Sequence, residues 1–319
     1  MKIVMVPYTL LTLLFCYSCS RHSTGDSTGQ PLENVQNVQY GAAPDSGGVT
    51  QSLLMDIYFP AGTATGQKYP LVLFIHGGAF VEGDKSDEVN HCRLLADSGF
   101  IAATINYRLG WRNGAGKCTG DTASRRLAAY RATQDANAAL RFLVSKAADY
   151  AIDTSHMFIG GSSAGSGTAL LTTYFTDAVA QQMAPVERAA LGPVNTSGNS
   201  LTNTFTIKAI ANLWGALPDS NLITTSSGKP MISFHGTADG VVPYDYGHTD
   251  DCPNFGMEYG SACLSRRLYA LNIPCILHLK QGAGHGPDLY NAVYTMSRAV
   301  PFFKSVMNGT PVTSKLYMD

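Results

Sequence analysis

The sequence predicts an α/β fold with a mostly parallel central sheet and helices on both faces. Two observations carry that expectation. From about residue 40 onward, short apolar runs rich in β-branched residues alternate with segments of helical period, the pattern of βαβ units. Several of those runs are continuously apolar, as strands covered on both faces must be. The chain has 319 residues, 45% of them hydrophobic and 14% charged. That composition suits a soluble globular protein able to bury a sizeable core without metals or many disulfides. Its 22 Lys and Arg against 23 Asp and Glu leave a formal charge of −1, so no basic field exists to hold nucleic acid. The longest apolar stretch lies at the N-terminus and is too short to span a bilayer comfortably, which excludes a polytopic membrane protein.

Taken in order, residues 1–18 read as an export signal: a charged start at Lys2, an apolar core from Ile3 to Phe15, and small residues near Ser18. The Ser18-Cys19 junction resembles the processing site of bacterial lipoproteins, in which Cys19 becomes the lipid-modified first residue. Cys16 and Tyr17 depart from that pattern and keep plain secretion open. The expected location is the periplasm or outer membrane, with membrane contact only through a lipid at Cys19, or the medium. Residues 19–39 are polar and rich in Gly, Ser and Thr, as a flexible tether is, and residues 40–319 are expected to form one domain.

Within that domain Leu53 to Phe59 alternates like an outer strand, whereas Leu71 to Ile75 and Ile101 to Ile105 read as buried strands. Further strands are expected at Met157 to Gly160, Ile207 to Leu213, Met231 to Phe234 and Cys275 to Leu279. Helices are expected at Asp87 to Ser98, Ala123 to Ala148, Ala164 to Gln182, Met257 to Leu271 and Leu289 to Met307. The longest of these can bury Leu127, Tyr130, Leu140 and Leu143 while turning Arg125, Arg126, Arg131 and Lys146 outward. Gly192 to Thr206 is a long polar insertion. Beyond Cys16 and Cys19, five cysteines remain. Cys275 sits in an apolar run and reads as a core thiol, and the polar contexts of the others suggest Cys252 with Cys263 and Cys92 with Cys118 as disulfides.

The chemistry starts at Gly161-Ser162-Ser163-Ala164-Gly165, which matches G-x-S-x-G between a short strand and a helix. Such a turn lifts a serine oxygen above the sheet at a helix's electropositive end. Ser163 is the expected nucleophile, since with Ser162 the second glycine would be replaced by Ala164. At the end of an earlier strand stands His76-Gly77-Gly78-Ala79. Small residues there let backbone amides turn toward a developing oxyanion, with Gly78 and Ala79 as candidates beside Ala164. A serine needs a base, and the base a carboxylate. Asp239 follows the strand Met231 to Phe234, and His285 lies in a glycine-rich loop past the strand Cys275 to Leu279. Asp219, Asp245, Asp250 and Asp251 have no strand to carry them to the sheet's edge. His235, at a strand end, His278, within a strand, and His248, in a polar loop, each have an ordinary structural explanation. A serine, an acid and a histidine in that order, each after a strand, is what a parallel sheet gathers at one rim. Tyr107, Trp111, Trp214 and Tyr244 lie near strand ends and are candidates to line a pocket.

On HGGAF at 76–80, NYRLG at 106–110, GGSSAG at 160–165, HGTADGVVP at 235–243 and GAGHG at 282–286, the chain resembles the α/β-hydrolase superfamily, most of all secreted bacterial carboxylesterases with a His-Gly-Gly oxyanion segment. The resemblance implies an ester hydrolase with Ser163, Asp239 and His285 as triad. Ala79 stands where many esterases carry a third glycine, which leaves the oxyanion donors open. With no long apolar lid, the expected substrates are short-chain or polysaccharide-linked esters. A peptidase of the prolyl-oligopeptidase kind shares the triad order, but the chain lacks the large N-terminal domain that gates those enzymes. A catalytically dead hydrolase fold serving as a surface binding protein is the alternative of another class. No metal, nucleotide or other cofactor is expected, because the histidines are scattered, no C-x-x-C occurs and the glycine-rich segments do not match phosphate-cradling patterns.

Overall fold

The computed structural model describes residues 29–319. The signal segment, the Cys19 site and most of the tether therefore lie outside the described residues. Folded chain begins earlier than composition suggests. Leu32 N–H donates to the Thr63 carbonyl, and strand β1, Val35–Pro44, begins inside the stretch read as tether. The strand is polar enough to look unstructured, yet Tyr40 turns inward and its hydroxyl donates to the Asn106 carbonyl at 2.8 Å. It pairs antiparallel with β2, Thr50–Tyr58, which pairs antiparallel with β4, Ile101–Ile105.

From β4 inward every neighbour is parallel. β3 (Tyr69–Ile75) lies between β4 and β5 (Ile152–Ser162), followed by β6 (Ile207–Leu213), β8 (Met231–Gly236), β11 (Cys275–Lys280) and the edge strand β12 (Lys315–Met318). The central strands of this nine-stranded sheet are buried on both faces. On one side pack α2 (Thr122–Ser145), α3 (Ala164–Tyr174) and α6 (Ser261–Ala270), on the other α1 (Val89–Asp97) and α7 (Ala292–Met307). The continuous apolar runs follow from that double cover: all five residues of β4 are buried, as are the last five of β3. Parallel strands also end at one rim, where the loops after β3, β5, β8 and β11 meet.

Four departures from the sequence reading have physical causes. The helix expected over 257–271 is split, with β10 (Met257–Gly260) preceding α6. β10 forms a small sheet with β7 (Ala216–Leu217) and β9 (Tyr246–His248), so pairing with distant segments overrides helical period. The helix expected over 164–182 breaks after Tyr174, because Thr176 caps a new helix, α4 (Asp177–Met183), with its hydroxyl accepting from Val179 N–H. α5 (Pro185–Leu191) follows directly. α2 is buried all round from Tyr130 to Arg141, Arg131 included. The polar insertion at 192–206 wraps it: Asn199 donates to the Ala138 carbonyl, Arg141 to Ser197, and Gln134 to Leu191 and Pro193.

The fourth departure is the disulfide pattern. Cys118 and Cys252 are bridged across a sequence separation of 134, with Cα atoms 5.3 Å apart, whereas Cys92, Cys263 and Cys275 are free. The expected pairs Cys252–Cys263 and Cys92–Cys118 are therefore wrong. Cys92 faces the core between α1 and the sheet, and Cys263 sits on α6, so neither faces its assigned partner. Polar context along the chain says nothing about which loops meet in space. Cys275 is buried and unpaired, as its apolar run suggested.

Candidate active site

β5 runs into α3 through Ser163, whose backbone sits at φ 53°, ψ −122°, a strained conformation for a residue with a Cβ. Two glycines make that turn possible. A Cβ at Gly161 would lie 2.5 Å from the Ile75 carbonyl oxygen, and one at Gly165 2.1 Å from the same atom. Only bare backbone fits between the elbow and β3. Ser163 Oγ lies 2.8 Å from His285 Nε2, and His285 Nδ1 lies 2.7 Å from Asp239 Oδ2. The loops after β8 and β11 thus deliver the acid and the imidazole to the serine that follows β5.

The Asp239 side chain is fully buried, and its other oxygen accepts from the Val241 and Val242 amides at 2.9 Å each. Burial opposes its charge, but hydrogen bonds and attraction from His235 and His285 outweigh it and hold the carboxyl well below the usual range. The His235 contact, 3.1 Å from Nε2 to Asp239 Oδ2, was invisible in the sequence, where His235 reads only as a strand-end residue. A histidine four positions before the acid, at the same strand end, was the available signal.

The loop after β3 approaches from the other side. Gly78, Ala79 and Phe80 all have positive φ, at 99°, 52° and 62°. Ala79 and Ala164 line the same cleft as Ser163, whereas Gly78 stands behind them against the Glu82 carbonyl. Tyr107 is a strut for this loop and not a pocket wall. It is buried, stacks on His76 at 4.3 Å, and its hydroxyl donates to the His76 and Gly77 carbonyls. Its neighbours complete the brace: Asn106 binds Asp84 and the Lys85 amide, and Arg108 forms a buried ion pair with Asp135 of α2 at 2.7 Å.

The cleft has a volume of about 300 Å³. Of the four aromatics expected in it, Trp111 lines it, edge-on to Phe255 and beneath the Arg125 guanidinium. Besides Tyr107, two others are misplaced. Trp214 meets the ring of His285 edge-on at 6.5 Å, and Tyr244 packs beside Ala262, Leu277 and Leu279. Further walls come from Leu171 of α3 and from helices the sequence did not link to the site: Tyr130 of α2, Met183 of α4 and Glu187 of α5. Arg125 pairs with Glu258 at 2.5 Å and Arg126 with Glu187 at 2.8 Å, so Asp250 is the cleft-lining acid outside these pairs. The other competing groups are structural. Asp245 pairs with Arg266, Asp251 with Lys117, and Asp219 caps a turn. His278 is stacked between Phe234 and Tyr317, and His248 bonds the Gly256 carbonyl. Ser162 donates to Glu88 at 2.5 Å, away from His285. Among the described residues no cluster of three or more His, Cys, Asp or Glu is arranged to hold a metal.

Residues 55–227, which include the loop at 76–80 and the elbow at Ser163, match the family model BD-FAE. The chain belongs to the BD-FAE family. That segment stops before Asp239 and His285, so in this BD-FAE member the acid and base stand on geometry. Among curated proteins, Esterase-5B of Drosophila persimilis is 27% identical over 179 residues, covering 56% of this chain and 30% of that protein. The chain spans less than a third of the length of the curated relatives it matches. Two solved structures share the fold. The thermophilic esterase Est2 of Thermogutta terrifontis superposes with TM-score 0.57 and 19% identity over 86% of this chain and 92% of that one. A truncated carbohydrate esterase from gut microbiota superposes with TM-score 0.58 and 20% identity over 88% and 99%. With its mostly parallel sheet, the BD-FAE chain has the α/β-hydrolase fold.

Proposed function

We propose that the protein is a serine-dependent carboxylic ester hydrolase that works through an acyl-enzyme. The observation that carries this reading is the unbroken line from Ser163 Oγ through His285 to Asp239, 2.8 and 2.7 Å long, opening on a cleft. Ser163 Oγ attacks the ester carbonyl carbon as its proton passes to His285 Nε2. The oxyanion that forms is taken up by the amides of Ala164 and Ala79, the two oxyanion candidates that line the cleft beside Ser163. Collapse breaks the ester C–O bond, His285 returns the proton to the departing alkoxide, and the acyl group remains on Ser163. Water then repeats the sequence: it loses a proton to His285, attacks the acyl carbon, and collapse frees the acid and reprotonates Ser163. Asp239 holds His285 in the tautomer with its proton on Nδ1 and offsets the imidazolium charge.

Short-chain or polysaccharide-linked acyl esters are the substrates this reading favours. A cleft of about 300 Å³, apolar along Leu171 and Phe175 but edged by Arg125, Glu258 and Asp250, suits a small acyl group on a polar alcohol. The neighbour named as a carbohydrate esterase agrees with that chemistry. Export is part of the proposal. The Cys118–Cys252 bridge fits an oxidising compartment, and a mature chain beginning at Cys19 with a diacylglycerol mass would establish the lipid anchor.

Ser163→Ala is expected to abolish turnover of short p-nitrophenyl esters and labelling by a fluorophosphonate probe. Near-wild-type turnover in that variant would end the assignment. A panel of acetyl, feruloyl and aliphatic esters then ranks the substrates, and hydrolysis of peptides ahead of all esters would overturn the ester reading.

A further inference from the structure

Asp239 is held by a second histidine that the proton shuttle does not use. His235 is the penultimate residue of β8 and is fully buried. Its Nε2 is hydrogen-bonded to the Val242 carbonyl at 3.1 Å and stands 3.1 Å from Asp239 Oδ2, the oxygen His285 also contacts. Both neighbours only accept, so Nε2 carries a proton and donates.

The other ring nitrogen shows why. Nδ1 meets Ser261 Oγ at 2.7 Å, at the start of α6. The direction of that bond is set by Asn212 on β6. Asn212 Oδ1 accepts from the Gly215 amide at 3.0 Å and from the Ser166 hydroxyl at 2.5 Å, which fixes the amide and turns Nδ2 to donate to Ser261 Oγ at 3.0 Å. Ser261 oxygen is then an acceptor toward Asn212, and its one proton is left for His235 Nδ1. Asn212, Ser166, Ser261 and His235 are all fully buried, so water does not compete for these bonds. Ser166 lies on α3 one turn past Ser163. The chain therefore reaches from the nucleophile's own helix, through β6 and α6, to the back of the acid.

We infer that His235 is a positioning residue for the triad: its Nε2–H, oriented by Ser261 and Asn212, donates to the Val242 carbonyl, holds the turn whose amides bind Asp239 Oδ1, and stands beside Oδ2, so that the carboxylate keeps its rotamer toward His285. The inference rests on the triad reading above. A ring that only filled space would be replaced by phenylalanine without consequence, whereas a donor cannot be.

The test compares His235→Phe with His235→Gln, whose amide N–H restores a donor in place of the ring N–H. With one donor lost, the charge of Asp239 bears more fully on the His285 imidazolium, so the acid limb of the kcat/KM profile moves to higher pH. The expected shift in the Phe variant is about 0.5 pH unit or more, with kcat down about tenfold and KM within about twofold. In the Gln variant the limb returns to within about 0.2 unit of wild type. The charged groups facing His285 are Asp239 and, from the turn at 249–251, Asp250, behind which stand Arg125, Lys117 and Glu258. Both variants leave all of these in place. A folded His235→Phe protein with an unmoved limb and wild-type kcat would overturn the inference, as would Phe and Gln variants that behave alike. Should the Phe variant not fold, imidazole ¹⁵N spectra of the wild-type protein decide: His235 is expected as the Nε2–H tautomer, and the Nδ1–H tautomer refutes the inference. Those spectra need no turnover, so a failure of the triad reading, seen as ester hydrolysis surviving Ser163→Ala, stays separate.

Discussion

Tyr107 shows how far a single side chain can differ from its apparent role. An aromatic near a strand end looks like pocket lining, but here the hydroxyl donates to two consecutive carbonyls, His76 at 3.1 Å and Gly77 at 3.0 Å, two residues before Ala79 of the cleft wall. Burial raises its phenol far above the ordinary value, so it stays a donor at any working pH. Tyr107→Phe keeps the ring stacked on His76 and removes only these bonds. The expected cost is about 1–3 kcal/mol in chemical denaturation, since buried carbonyls lose their partner. A fall in kcat with KM nearly unchanged should accompany it, because in the proposed mechanism the loop carries a donor needed in the transition state more than in the ground state. Wild-type kcat in the variant would show that the loop keeps its shape without the brace.

At the level of elements, the turn from β5 into α3 is specified by what cannot be there. A methyl on Gly165 would meet the carbonyl oxygens of Ile75 and His76 at 2.1 and 2.3 Å, both backbone atoms of β3 and the loop after it. Gly167, two residues on, is different, since a Cβ there would come no closer than 3.6 Å to any neighbour outside its helix. Gly165→Ala is therefore expected to lose more than about 3 kcal/mol or to yield no folded protein. Gly167→Ala should be neutral or stabilising by up to about 1 kcal/mol, since alanine is the better helix former. Equal melting temperatures for the two variants would mean the elbow does not press on β3 as described.

Across the whole molecule, the Cys118–Cys252 bridge joins the loop before α2 to the loop before β10 over a separation of 134 residues. Both loops carry cleft walls, Trp111 and Asn113 on one side, Thr249 and Asp250 on the other. Opening so long a loop removes a constraint on the unfolded chain worth up to about 5 kcal/mol in the chain-entropy model. Cys118→Ser is expected to lower the melting temperature and to raise KM for ester substrates more than it lowers kcat, because Ser163, His285 and Asp239 are tied together without these loops. Calorimetry with steady-state kinetics checks both parts. Unchanged KM in the variant would separate the bridge from the cleft.

The parallel sheet, its main strands and the order Ser163, Asp239, His285 were legible in the residues because each depends on local pattern. Continuous apolar runs mark doubly covered strands, glycines around a serine mark a turn with no room for Cβ, and residues just past parallel strands share one rim. The Cys118–Cys252 pairing, the His235–Asp239 contact, the wrapping of α2 by residues 192–206 and the pairing that turned Met257–Gly260 into a strand were not legible. Each joins segments far apart in the chain, and nothing in either segment names its partner. Tyr107 and Trp214 follow the same rule: an aromatic side chain advertises its size, but whether it faces a cleft, a loop or the His285 ring depends on what the rest of the fold brings beside it.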